Sequence, residues 1–264
     1  MMFGYETSAG VLLEIPGAQI DGIADWEWSA DSDSYKITQP VYHDFDVTLE
    51  FHDRVECDKI LALMDEDTMD NNRGRLVMGD WSISCNAIKG TFSMRAGDIC
   101  EYKVQFRAYG QRWVRSNTMQ FMPSASGSGG VDYPHDYPFD FAPPPSGVKT
   151  ISVDSFGKCD FRIVVYGEAV NPSITIGGHI YKVNATIASG ELLFINQVSK
   201  GLPGAEIFKR SSTRTITNLY DSREKSSYIF EKISPGENMV QWSGTFGFDL
   251  TVYESRSKIP DDRY

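Results

Sequence analysis

This chain has little histidine, no close cysteine pairs and no long apolar run. It holds 4 His and 4 Cys in 264 residues. No stretch approaches the ~20 apolar residues of a membrane-spanning helix, so no membrane segment is expected. Residues 1–10, MMFGYETSAG, lack a basic region followed by an apolar core and are not expected to act as a secretory signal. Cys57, Cys85, Cys100 and Cys159 stand far apart with no Cys-x-x-Cys spacing, so buried free thiols of a reducing compartment are expected. His43 falls on the apolar side of an alternating run. His52, nine residues on, points the opposite way in an unbroken strand, so the two share no metal. His135 stands in a Pro-rich stretch and His179 follows a Gly-Gly turn. The chain has no Gly-x-Ser-x-Gly, no phosphate-binding P-loop and no Gly-x-Gly-x-x-Gly after a strand. No catalytic, cofactor-binding or metal-binding residue is therefore assigned, no cofactor is expected, and the chain is not expected to be an enzyme.

Two further features weigh against obvious chemistry. The acidic run Asp65–Asn72 resembles a calcium loop only at first sight. Counting from Asp65, an EF-hand needs Gly sixth and Glu twelfth, where this chain has Asp70 and Leu76. A solvated helix end is expected there, with acids at the end that the helix dipole does not favour. Trp26 and Trp28 share one face of a strand and would suit either a core face or stacking on a sugar ring. No pair of carboxylates is marked out for sugar hydrolysis among the 36 acids.

What is present is a core-forming sequence, 41% apolar and 12% aromatic, with net charge −11. The charge is uneven. Residues 1–122 carry 20 acids against 11 bases, residues 123–147 add three acids and no base, and residues 148–264 carry 13 acids against 14 bases. An acidic first block does not bind nucleic acid through phosphates, which needs clustered Lys and Arg. It serves solubility, or lines a passage through which nucleic acid slides without sticking.

The stretch 123–147, PSASGSGGVDYPHDYPFDFAPPPSG, divides the chain into a first block, 1–122, and a second, 148–264. Its Ser/Gly part is a soft tether; its Tyr-Pro steps and Pro143-Pro144-Pro145 are stiff and poor in ladder donors. In the first block His43, Phe45, Val47, Leu49 and Phe51 alternate with polar residues, as do Trp81, Ile83, Cys85 and Ala87, and Tyr102, Val104, Phe106 and Ala108, so these are half-buried strands. Cys57, Ile60, Leu61 and Met64 recur at helical spacing and place one amphipathic helix over residues 55–67. The second block reads as all strands: 161–167, 173–183 with a hairpin turn at Gly177-Gly178, 191–196, 238–242 after a Pro235-Gly236 turn, and 246–253. Many short strands separated by turns predict a β-sandwich.

The linker and second block resemble the distal tail proteins of long-tailed bacteriophages, found also in prophages and tail-like particles. The resemblance rests on DYPHDYPFDF (132–141), GEAVNPSITIGG (167–178), GELLFINQVSKG (190–201), with Asn196 where the family has Asp, the turn carried by Phe230, Ile233, Pro235, Gly236 and Asn238, and FGFDLTVYESRSKIP (246–260). It implies a mainly β protein: an N-terminal β-rich, ring-forming domain with one helix over 1–122, a linker over 123–147, and a C-terminal galectin-like β-sandwich over 148–264. It further implies a hexameric ring at the virion tail tip, assembled in the host cytoplasm. The ring would join the tail tube protein to the tail-tip hub or tail-associated lysin, carry receptor-binding protein and pass DNA through its lumen without specific binding. The alternative function is a carbohydrate-binding module for host-surface attachment.

Overall fold

A computed structural model of the chain describes residues 3–15, 17–21, 29–30, 37–38, 42–96, 99–109, 112–123, 147–199 and 202–257. Residues 124–146, which include His135, and Trp26 and Trp28 lie outside the described residues. The chain divides into two compact units, one of residues 1–115 with 255–264 and one of residues 116–254. The protein is mainly β, with a single α-helix among the described residues.

The first unit contains β1 (Phe3–Glu6), β2 (Leu12–Glu14), β3 (Gly17–Asp21), β4 (Ser29–Ala30), β5 (Ile37–Thr38), β6 (Tyr42–Phe51), α1 (Arg54–Met69), β7 (Gly74–Met78), β8 (Trp81–Ala96), β9 (Ile99–Tyr109) and the start of β10 (Trp113–Phe121). Its antiparallel sheet has the order β2-β1-β7-β8-β9-β6-β3. The alternation in β6 does what period two requires: Phe45, Val47, Leu49 and Phe51 are buried while the intervening residues are only partly covered. The helix begins at Asp53, whose carboxylate accepts from the Val55 N–H at 2.7 Å. Cys57, Ile60 and Met64 bury its apolar stripe among the sheet's inner residues, with Leu61 half-buried beside them.

The end of that helix differs from expectation. Asp67 is not solvated but 5% exposed. Its carboxylate accepts the Tyr5 hydroxyl at 2.9 Å, the Ser8 N–H at 3.0 Å and the Ser8 hydroxyl at 2.5 Å. A buried carboxylate is tolerated when donors surround it, and here they tie the first strand to the helix. Burial, followed by the hydrogen bond and charge of Asp67, pushes the Tyr5 phenol well above its usual range. Gly74, at the start of β7, leaves the space that the Tyr5 ring fills.

The second unit contains the rest of β10, then β11 (Val148–Val153), β12 (Asp160–Tyr166), β13 (Ala169–Val170), β14 (Ser173–Ile176), β15 (His179–Lys182), β16 (Thr186–Ile187), β17 (Leu192–Ser199), β18 (Leu202–Arg210), β19 (Ile216–Asn218), β20 (Gly236–Trp242) and most of β21 (Phe248–Arg256). One antiparallel run has the order β19-β18-β17-β12-β21, a second sheet the order β11-β20-β14-β15, and β13 pairs with β16. Phe161, Ile163 and Val165 from the first sheet share one apolar cluster with Ile151, Ile174, Tyr181 and Val240 from the second. Phe121 stacks on Phe248 at 4.5 Å in the same cluster. On the opposite face of the first sheet, Arg162 stands directly across from Asn196. The Asn196 Oδ1 and Arg162 Nε are buried and take no hydrogen bond within the protein.

Candidate functional site

The sequence assigned no catalytic or ligand-binding residue. Among the described residues no group of three or more His, Cys, Asp and Glu side chains is placed to hold a metal ion. His43 sits on the inner parity of β6, its ring stacked on Phe45 with centroids 6.1 Å apart. His52 lies beyond the strand and pairs with Glu50 at 3.4 Å in an exposed position. All four cysteines are free and buried. Burial pushes the Cys85 thiol up to about 12 and the Cys57 thiol up to about 11, so neither is poised as a nucleophile.

A concavity lies in the second unit, between the β14–β15 turn and residues 231–238, with a volume of about 350 Å³. Its first wall follows from glycine. Gly177 and Gly178 take φ of 56° and 85°, the paired left-handed conformation of a two-residue type I′ hairpin. The turn sets Ile176 opposite His179. At Gly177 a Cβ would lie 2.5 Å from the Asn238 Oδ1, so a side chain there is barred by space as well as by φ.

The second wall is the turn that carries the family resemblance, and its residues are structural. Phe230 and Ile233 are each 2% exposed and sit in the core. Gly236 takes φ of 88° after Pro235. Asn238, 4% exposed, donates its side-chain amide to the Ser234 carbonyl at 2.8 Å and to the Gly236 carbonyl at 3.0 Å. The Asn thus clamps the turn that precedes β20. The same segment is stitched to the residue just before β12 by a pair of backbone bonds between Cys159 and Ile233, 2.8 and 3.0 Å.

Polar groups of the cleft are held in place. Tyr181 donates its hydroxyl to the Glu231 carbonyl at 2.7 Å, and burial pushes its phenol well above the usual range. The Glu231 carboxylate pairs with Lys158 at 2.5 Å, and the hydrogen bond and charge of that ammonium hold it below the usual carboxylate range. Lys232 pairs with Asp160 at 2.7 Å. The His179 Nε2 lies 2.9 Å from the Tyr228 carbonyl and 3.2 Å from the Ser227 hydroxyl, while that hydroxyl donates to the Ile180 carbonyl at 2.8 Å. A carbonyl only accepts and the Ser227 proton is already committed. The His179 Nε2 therefore carries the hydrogen, and in the neutral ring Nδ1 is left as an acceptor.

Beside the cleft, residues 224–227 cover the edge of β15. The Glu224 carboxylate accepts from the Ser226 N–H at 3.3 Å, the Ser226 hydroxyl at 3.1 Å, the Lys225 N–H at 3.0 Å and the Lys182 ammonium at 3.4 Å. These donors, those of Ser226 foremost, pull its pKa down to about 2. Sequence reasoning passed over His179, Glu231 and Lys232 as site members. Their spacing of some fifty residues leaves no local signal, and only the Gly-Gly and Pro-Gly turns marked the place.

No family model matches the sequence, and no curated protein matches it in sequence. Solved structures do match in fold. The SPP1 Dit (gp 19.1) protein, described as a paradigm of the hub adsorption apparatus in Gram-positive-infecting phages, is 9% identical, with a TM-score of 0.56 over 97% of this chain and 100% of that one. A chain of the phage P2 baseplate in its activated conformation with Ca is 9% identical, with a TM-score of 0.58 over 98% of this chain and 99% of that one. The corresponding chain of the phage p2 baseplate with Sr gives a TM-score of 0.57 at 9% identity and the same coverage. The chain thus shares, from end to end, the fold of proteins from phage hub and baseplate assemblies.

Proposed function

We propose that this protein is a structural distal tail component of a phage or phage-like particle, without catalytic activity. In this reading it forms a ring of about six subunits at the tail tip, after assembly in the host cytoplasm. Residues 1–122 build the ring between the tail tube protein and the tip hub or tail-associated lysin. Residues 123–147 act as a neck, and residues 148–264, a galectin-like sandwich, face outward and carry receptor-binding components. DNA passes through the ring without specific binding, and the acidic first block suits a lumen that repels phosphate.

One observation carries the proposal. The likeness takes in 97–98% of this chain and 99–100% of hub and baseplate chains. An isolated β-module shared by chance would match one part and leave the remainder unmatched. Negative-stain electron microscopy of the purified full chain, with mass photometry, tests it. Rings are expected, alone or after addition of tail tube protein. Monomers alone under both conditions would overturn the proposal.

A further inference from the structure

Two guanidiniums on the outer face of the β19-β18-β17-β12-β21 run lack a counter-charge. Phe161, Ile163 and Val165 turn into the core, so period two turns Arg162 outward; Leu193 and Ile195 do the same for Phe194. The Arg162 and Arg210 guanidiniums lie 5.3 and 5.0 Å from the Phe194 ring centroid, and Phe208 stacks on that ring at 4.8 Å. Lys158, Lys182, Lys209 and Lys232 of the same unit each pair with a carboxylate. Among the described residues neither Arg162 nor Arg210 has a hydrogen-bond or ion-pair partner, and the Arg162 Nε is buried in that state. A buried donor left unmade is costly. The carboxylates of this face do not serve: Asp160 is held by Lys232, Asp249 takes the Tyr166 hydroxyl, and the exposed Glu206 forms no ion pair among the described residues.

The chain carries a complement to this face. Residues 132–141, DYPHDYPFDF, hold three carboxylates and four aromatic rings, with no Lys or Arg. Guanidiniums pair with carboxylates in two-pronged geometry and stack on aromatic faces. Both ends of the stretch are anchored near β10 and β21. Pro123 stands against Gly247, just before β21, and the carbonyl of residue 147 accepts from the Trp242 N–H at 2.9 Å. Lys149, at the start of β11, reaches the Phe121 ring of β10. Nine residues carry the chain from Pro123 to Asp132, ~30 Å when extended, while β17 lies only two strands from β21, ~10 Å at sheet spacing. A tethered segment within reach meets its surface at millimolar effective concentration. We infer that the outer face carrying Arg162 and Arg210 over Phe194 is the docking surface for the chain's own residues 132–141, whose Asp132, Asp136 and Asp140 supply the missing counter-charge.

Hydrogen-exchange mass spectrometry on the full chain at low salt tests the inference. Amides of residues 132–141 are expected to exchange at least tenfold more slowly than in an unstructured peptide of the same sequence. Arg162→Gln with Arg210→Gln is expected to remove that protection. Asp132→Asn with Asp136→Asn and Asp140→Asn, which leaves the sheet itself untouched should the arginine changes disturb folding, is expected to remove it equally. Joining the two sets should add nothing further, and raised salt should weaken the protection. Lys225→Gln, at an exposed position away from this face, is expected to change nothing. An unprotected segment in the native chain, or protection that survives both sets of changes, would overturn the inference. So would protection lost on dilution, which would assign the segment to a second copy. Rings seen by microscopy with an unprotected segment would remove this docking surface and leave the hub proposal standing; protection in a chain that never forms rings would do the reverse.

Discussion

Gly74→Ala is expected to be among the most damaging single-methyl changes in the first unit. In most strands the change is mildly favourable, by roughly 0.5–1 kcal/mol, because glycine loses more backbone freedom on folding. Here the new Cβ would lie 2.0 Å from the Tyr5 hydroxyl oxygen, 2.2 Å from its ring Cζ and 2.8 Å from Cε2. Tyr5 is 0% exposed and its ring has no free space to enter. Overpacking of this kind costs about 1–3 kcal/mol. Moving the ring also breaks its 2.9 Å bond to Asp67, and a buried hydrogen bond to a charged group contributes about 1.5–3 kcal/mol. The sum, less the glycine gain, is a loss of about 2–5 kcal/mol, a large part of the ~5–15 kcal/mol stability of an ordinary domain. Urea unfolding followed by tryptophan fluorescence reads it directly, since Trp81 and Trp113 are buried in the same cluster. The deciding measurement is a double-mutant cycle. In a Tyr5→Ala background the obstructing ring is gone, and Gly74→Ala is expected to cost nothing. An equal cost in both backgrounds, or a neutral effect in the native one, would refute this reasoning.

Three other outcomes are expected. Asn196→Asp places a carboxylate opposite the Arg162 Nε, which has no hydrogen bond within the protein; stability at neutral pH should rise by about 1 kcal/mol, and the gain should vanish in an Arg162→Ala background. The pKa of Glu224 is about 2 in the folded state, below its unfolded value, so its contribution is complete above the ordinary glutamate pKa and is lost as pH falls toward 2. Acid unfolding curves of Glu224→Gln should therefore be flatter between about pH 4.5 and 2, and a carboxyl NMR titration midpoint near 4 would contradict the geometry. A thiol-reactive chromophore should label none of the four cysteines in native buffer and all four in denaturant; rapid native labelling would show that one is not buried.

Period two exposed the strands wherever the ladder was regular, as in β6 and in Phe161–Val165. It failed where the ladder was not. β8 runs on to Ala96, but its register shifts between Ala87 and Lys89 and between Phe92 and Met94, residues 88–93 are exposed whichever way they point, and the alternation dissolves. β18 contains Pro203-Gly204, which reads as a turn, yet Pro203 pairs with Val198 at the end of a hairpin that shifts register after Asn196. The helix was legible from its apolar spacing. Asp67 was not, because its burial depends on Tyr5 and Ser8, some sixty residues away. The cleft was half legible: glycine and proline marked its turns, while the pairing of His179 with Ser227 and Tyr228 arises only on folding.

The first unit is made of two stretches of chain, residues 1–115 and 255–264, with the second unit inserted between them. The last stretch is fastened locally: Ser255 accepts from Arg112 at 3.1 Å, and the Arg256 guanidinium lies 5.4 Å from the Trp81 ring centroid. The inserted unit is therefore joined to its host by two peptide crossings, one after residue 115 and one after residue 254. A tension applied to it is divided between two covalent paths, and neither end can be pulled away without drawing on the other. In the hub proposed above, a unit attached in this way would bear a pull through both covalent paths at once.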